Sequence, residues 1–411
     1  MASYDPGDLQ STALDEHAEA AEPAESAEPP EPEGPPDPWY RNRLLLVAWA
    51  TAVAILIVLI IYGLIQLSHG VEGGTSTTTP TTTTPTPPPS PSGTNCLDVT
   101  TEETSSLNAQ VDPQDLDACG YPSPCQYPCT DTASTATGVP AGTELTNVSS
   151  ISCGANQTIK DVNFVGSTSD ISINGPNCTI EDSHIEGTDP NAGENGDQII
   201  GSGQSGFTLL HDELSGTMSG TTCTDPYANG VQGEATIEYS YIHCVAEGVN
   251  YDINLSNDFI ISDGPCEYYG SGGTGGTGCS SAPAHYEATY LNGGGRTAEV
   301  TYNHNTLINP NWQTSAVFGD DHYQPPLTNW TVENNLIGAA SPTIEVGCMG
   351  DDESGIVITG NRFAFFSTNS PTASTGSIPD PEINSLATTW TGNFLDGNLD
   401  TIPESSVDTG C

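Results

Sequence analysis

The chain has 411 residues and a formal net charge of -48, with 53 acids set against five lysines and arginines. So acidic a surface excludes nucleic acid and anionic lipid headgroups as partners, because their phosphates would find no cations to pair with. All 12 cysteines lie beyond residue 95, which points to an oxidising compartment for the C-terminal part and to disulfides rather than metal thiolates.

Residues 1–43 begin with an Ala-, Glu- and Pro-rich stretch that holds eleven acids and no lysine or arginine before residue 39. With little to bury and much charge to solvate, this segment reads as a disordered tail. Residues 44–67 are a mostly apolar run without a charge, long enough to cross a hydrocarbon core of about 30 Å as a helix. Arg41 and Arg43 precede it, and the next cation is Lys160. The positive-inside rule therefore predicts a single-pass plasma-membrane anchor with a cytoplasmic N-terminus and an extracellular C-terminal domain. A cleaved signal peptide is the alternative, disfavoured by the length of the run and by the long acidic tail ahead of it. Residues 68–93 are rich in Thr, Pro, Ser and Gly and predict an extended stalk.

Residues 94–137 carry Cys96, Cys119, Cys125 and Cys129 among Pro and Tyr. Too short for a large core, the segment is expected to be fastened by local disulfides, with a four-thiolate zinc site as its rival.

Beyond residue 138 a short phrase recurs. Its cleanest copies are Ile180/Ser183/Ile185, Ile237/Ser240/Ile242 and Val332/Asn335/Ile337: an apolar residue, a small polar one three places on, and an apolar one two places later. Further copies fall at Leu209/Asp212/Leu214, Leu255/Asp258/Ile260, Tyr302/Asn305/Leu307, Ile358/Asn361/Phe363 and Trp390/Asn393/Leu395, with a weaker one at Ile159/Val162/Phe164. Alternating Thr, Ile, Val and Tyr belong to half-buried strands, and a repeat of roughly 18–32 residues belongs to a solenoid whose coils share one core. The recurring polar position predicts a buried column of Asn, Ser and Asp that hydrogen-bonds along the stack. The fold class is therefore all-β, a right-handed parallel β-helix over 138–411 preceded by one transmembrane helix and disordered segments.

The phrase Gly138-Val139-Pro140-Ala141-Gly142-Thr143-Glu144-Leu145-Thr146, the Thr-Ile-x-x-Ser-x-Ile coils and Thr301-Tyr302-Asn303-His304-Asn305-Thr306-Leu307 resemble a family of secreted actinobacterial right-handed β-helix proteins in the pectate-lyase-like superfamily. The resemblance covers about residues 132–400 and implies kinship with polysaccharide-active β-helices. A uronate β-elimination would need cation-held carboxylates and a base, which in such enzymes is an Arg or Lys. The exported part offers only Lys160, Arg296 and Arg362. Lys160 and Arg362 sit at different offsets of the repeat, so Arg296, after Gly293-Gly294-Gly295, is the candidate base.

A hydrolase would instead need paired carboxylates. Asp320 and Asp321, followed by His322, are the catalytic candidates, and Asp351, Asp352 and Glu353 are a candidate Ca2+ site; no other cofactor is required. His285 falls where the family carries a His-containing turn and joins the catalytic candidates, although the family's continuation after that turn is absent. His243 and His304 lie in or next to coils, beside Glu247 and Asn303, where hydrogen bonding within the stack is the plainer role. Tyr286, Tyr290, Trp312 and Tyr323, with Tyr268 and Tyr269 nearby, could stack on sugar rings. The expected partner is a polysaccharide or cell-envelope glycan bound by residues 285–323, with a lyase or glycoside hydrolase and a purely adhesive surface protein as the alternatives.

Overall fold

The computed structural model describes residues 96–97, 111–188, 198–201, 206–225, 227–263, 287–292, 299–310, 315–320, 327–339, 343–346, 354–365, 382–383, 388–397 and 399–407. The acidic tail, the apolar run 44–67 and the stalk lie outside these residues. Among the described residues no helix is long and apolar enough to cross a membrane.

The chain forms long parallel sheets in the arrangement of a β-solenoid. It visits three sheets in rotation, as in Ala235–Glu238, Tyr241–His243 and Val245–Asn250, followed by Ile253–Ser256, Phe259–Ile261 and Glu287–Asn292. Among the described residues these sheets have nine, ten and seven strands, and every pairing within them is parallel. The repeated phrase marks the corner between the nine- and ten-stranded sheets. Its first apolar residue forms one register column: Ile159, Ile180, Leu209, Ile237, Leu255, Tyr302, Val332, Ile358 and Trp390. Its second forms another, from Phe164 through Ile185, Leu214, Ile242, Ile260, Leu307, Ile337 and Phe363 to Leu395. Both columns belong to a single continuous core, in which each fully buried aliphatic side chain contributes about 1.5–3 kcal/mol.

Between the two apolar columns runs the polar one. Ser183, Asp212, Ser240, Asp258, Asn305, Asn335, Asn361 and Asn393 are all fully buried. Each but the last, Asn393, donates its backbone N–H to the side chain one coil on: Ser183 to Asp212 Oδ1 (2.8 Å), Asp212 to Ser240 Oγ (3.2 Å), Ser240 to Asp258 Oδ1 (2.7 Å) and Asp258 to Asn305 Oδ1 (2.9 Å). The series continues from Asn305 to Asn335 (2.8 Å), Asn335 to Asn361 (2.9 Å) and Asn361 to Asn393 (2.9 Å). In the asparagine half the carboxamide Nδ2 groups add a second chain, each donating to the next Oδ1 and to a carbonyl of the preceding coil, as Asn335 does to Tyr302 O (2.9 Å). In the other half serine separates the two carboxylates, so Asp212 and Asp258 never stack directly.

The residue before each ladder position turns the corner. Asp161, Asp182, His211, Tyr239, Asn257, His304, Asn334, Gly360 and Gly392 all have positive φ, between 51° and 67°. Asn, Asp and Gly tolerate this left-handed conformation; His and Tyr adopt it at a cost. His211 and Tyr239 recover part of that cost by stacking on each other, with ring centroids 4.9 Å apart.

The Cys-rich segment straps the side of the solenoid. Its helix α1, Pro113–Cys119, is capped by the Asp112 side chain, which accepts from Gln114 N (2.8 Å), and ends at Gly120 with φ 78°. Leu97, Val111, Leu116 and Tyr121 pack against Tyr241, Phe259, Ile261, Ile308, Leu336 and Ala364 on the outer face of the ten-stranded sheet, which is thus covered on both sides. Cys96–Cys119 and Cys125–Cys129 are disulfides, so these four thiols hold no zinc. Cys153–Cys178 and Cys223–Cys244 fasten coils, and every described cysteine is bridged. Cys266, Cys279, Cys348 and Cys411 lie outside the described residues. At the far end, residues 399–407 fold back over the last coil, where Trp390 Nε1 donates to Ile402 O (2.9 Å).

Removing a ladder amide strands several buried groups at once, each costing about 1–3 kcal/mol. Asn335→Ala is expected to destabilise by about 3–5 kcal/mol, read as a lower denaturant midpoint at unchanged m, whereas Asn334→Gly, one residue away, costs under about 1 kcal/mol. Burial raises the Asp212 and Asp258 carboxyls well above 3.8, against the lowering effect of the backbone N–H groups they accept. Folded chains therefore hold these protons where unfolded chains release them. The resulting stabilisation is complete below about 3.8 and is lost as pH rises through the folded values. Melting curves of parent and Asp258→Asn from about pH 4 to 7 should show the parent losing ground to the variant as pH rises; a gap constant with pH contradicts the assignment.

Candidate functional site

The two bases that can be placed are committed to structure. Lys160 Nζ lies 2.6 Å from Glu181 Oε1 and 2.7 Å from Asp182 Oδ2, and these hydrogen bonds, that to Asp182 foremost, push its pKa further up. It stays protonated and cannot accept a proton. Arg362 is fully buried, with Nε 2.5 Å from Asp396 Oδ1. Asp396 in turn accepts from the backbone N–H groups of Cys96 (3.0 Å) and Leu97 (3.0 Å), so the pair anchors the strap. Arg296 lies outside the described residues.

His243 does not meet Glu247. Its Nε2 is 3.0 Å from Glu213 Oε1, both side chains are buried, and the ring stacks on Tyr241 with centroids 4.1 Å apart. Glu213 also accepts from Tyr127 N (2.5 Å), beneath the Cys125–Cys129 loop. His304 bridges Asn257 Oδ1 (2.8 Å) and Gly120 O (2.8 Å), and burial lowers its pKa. Both histidines lie where the strap meets the sheet, His243 fully buried and His304 half-buried.

The outer face of the seven-stranded sheet differs. One register row on it runs Gln232, Asn250, Tyr290, Phe318, Glu345 and Glu382. The adjacent positions Val231, Val249, Val317 and Ile344 are buried in the core, whereas Gln232, Tyr290, Phe318 and Glu345 are half-exposed, so these four face outward, and Asn250 between them is buried. Strands about 4.8 Å apart make the row roughly 24 Å long. Tyr290 and Phe318 stack with ring centroids 5.5 Å apart and an interplanar angle of 15°. A second row holds Gln198, Asn229, Glu247 and Glu287. Asn250 joins the two: its Nδ2 donates to Glu247 Oε2 (2.7 Å) and Asn229 Oδ1 (3.3 Å). That pairing fixes the orientation of the amide, since a flip would set oxygen against oxygen.

Of the residues singled out from sequence, Tyr290 lies in this row, and Asp320 stands two positions beyond Phe318, opposite Asn292. His285, Tyr286, Arg296, Trp312, Asp321, Tyr323, Asp351, Asp352 and Glu353 lie outside the described residues. Among those described, no group of three or more His, Cys, Asp or Glu could hold a metal ion. Phe318, Asn250 and Glu345 escaped the sequence reading as site residues, and Glu247 entered it only as a neighbour of His243. They belong to the third strand of each coil, which follows loops of different lengths and so keeps no fixed offset from the repeated phrase.

No protein-family model matches the chain, and neither a curated protein nor a solved structure matches it.

Proposed function

We propose that this chain is a membrane-anchored extracellular protein that binds polysaccharide along the outer face of its seven-stranded sheet. On this reading residues 44–67 cross the membrane with the N-terminus inside, residues 68–93 form a spacer, and the solenoid is a right-handed β-helix of the pectate-lyase-like kind. One observation carries the binding reading. Two stacked, half-exposed rings, Tyr290 and Phe318, stand in one register row with the half-exposed amide of Gln232. Flat aromatic faces take the apolar C–H faces of sugar rings, while amides meet the hydroxyls. The linear row suits an extended polymer.

Hydrolysis at the same face has little support, because Glu287, the register partner of Glu247, is fully buried. Elimination has less support, because Lys160 and Arg362 are both held in ion pairs.

Full-length protein in detergent, tested by calorimetry against a panel of glycan oligomers, should bind at least one of them. Tyr290→Ala and Phe318→Ala should each weaken that binding about tenfold without lowering the melting temperature by more than a few degrees. Reducing ends released during the same incubation would identify hydrolysis. Absence of binding across the panel, or binding unchanged in both variants, would defeat the proposal.

A further inference from the structure

The strap lies lengthwise on the ten-stranded sheet. Its Cys96 and Leu97 N–H groups sit on Asp396 at the last coil. Further back, His304 Nε2 meets Gly120 O, and Thr306 Oγ1 donates to Pro122 O (2.7 Å). Tyr127 N reaches Glu213 Oε2 near the first coils. The strands at Glu213 and Asp396 are six spacings apart along the sheet, roughly 29 Å. The strap's four cysteines bridge only one another, so no disulfide ties it to the solenoid. The main chain leaves it through Pro140, Ala141 and Gly142, all exposed, and Gly142, at φ 82°, has open space around it. Beyond that joint only packing, hydrogen bonds and ionic contacts hold the strap down.

Two histidines of the sheet lie beneath it, each against a strap tyrosine. His184 stacks on Tyr127 with ring centroids 5.2 Å apart, and His304 on Tyr121 at 5.7 Å. His184 is only 8% exposed, and its Nδ1 pairs with the uncharged Asn163 (2.7 Å). The partners of His304, Asn257 and Gly120 O, are uncharged too. An imidazolium in either place is cut off from water for as long as the strap stays down. Burial accordingly lowers both pKa values below the ordinary 6.5. Around His184, Glu213 on the next strand and Glu186 on its own oppose that effect, and His243 reinforces it; around His304 the Gly120 carbonyl opposes it; burial is the largest influence on each. A lifted strap frees both rings to take up protons. Docking is therefore at full strength above about 6.5 and weakens as pH falls through that value toward the lowered ones. Asp212 and Asp258 work in the other direction, since their buried carboxyls keep protons in the folded solenoid.

We propose that the strap is an acid-released tether, which lifts from the ten-stranded sheet on acidification while the solenoid beneath it stays folded. Lifting uncovers Tyr241, Phe259, Ile308 and Leu336, and it moves the attachment of the solenoid from its last coil to its first. With residues 44–67 as the anchor, as proposed above, the solenoid then gains reach from the membrane. The device does not depend on what the seven-stranded sheet binds.

Hydrogen exchange of the full-length protein in detergent, followed by mass spectrometry from pH 7 to pH 5 and corrected for the intrinsic rate at each pH, reads both parts. Peptides holding Leu97 and Tyr127, whose amides bridge strap and sheet, should show an opening constant that rises about tenfold or more over that range. Peptides holding Asn335 and Asn361 should stay protected, so the opening free energies of strap and ladder draw apart as pH falls. His184→Gln and His304→Gln should each flatten the pH dependence of strap opening, and the double variant should remove most of it. The slope is the readout, so an offset from lost packing does not imitate the result. A strap opening constant unchanged between pH 7 and pH 5, strap and ladder amides that open together at every pH, or a slope undiminished in the double variant would each overturn the proposal.

Discussion

One hydrogen bond, repeated from coil to coil, sets the geometry on which the rest depends. At each corner a backbone N–H that would otherwise be buried without a partner points along the solenoid axis, and the side chain of the next coil accepts it. The acceptor must be short and polar, which restricts the position to Ser, Asp and Asn. Its hydrogen bonds hold successive corners in line, so the apolar residues three before and two after stack into columns. The interior is therefore ordered by polar groups and filled by apolar ones, and neither alone would fix the register.

The corner was legible in the sequence because it is short and repeats at fixed offsets. Ile180, Ser183 and Ile185 mark the same three places as Val332, Asn335 and Ile337, and the structure sets each trio in the same columns. The left-handed residue one place earlier was not legible. Asp182, His211, Tyr239, Asn257 and Gly360 share a backbone conformation but no chemistry, and only the conformation is repeated. The strap was legible as a disulfide segment. Its place along the ten-stranded sheet was not, since that depends on side chains from distant coils, such as Phe259, Ile308 and Leu336. The candidate site was the least legible part. Tyr290 was found as an aromatic residue in an insert, but its stacking partner Phe318 lies 28 residues on and becomes a neighbour only through parallel pairing.

The scarcity of cations links fold to function. Lys160 neutralises two acids at the edge strand of the nine-stranded sheet, a position where a charged side chain also discourages pairing with another chain. Arg362 is buried with Asp396 and secures the strap where the ten-stranded sheet ends. With these two used for structure, the seven-stranded sheet is left with amides, rings and carboxylates on its outer face. The ten-stranded sheet, by contrast, has its outer face closed by Leu116, Tyr121 and their neighbours. The solenoid thus has one side closed by its own chain and another on which we propose that an extended ligand lies.

Native-state hydrogen exchange of the corner amides tests the central claim most directly. If the ladder organises the solenoid, the amides of Asp258, Asn305, Asn335 and Asn361 exchange only through global unfolding, and their opening free energies fall with denaturant at the full m-value of the domain. Exchange of those four amides through small local openings insensitive to denaturant, while the adjoining strands stay protected, would contradict the account.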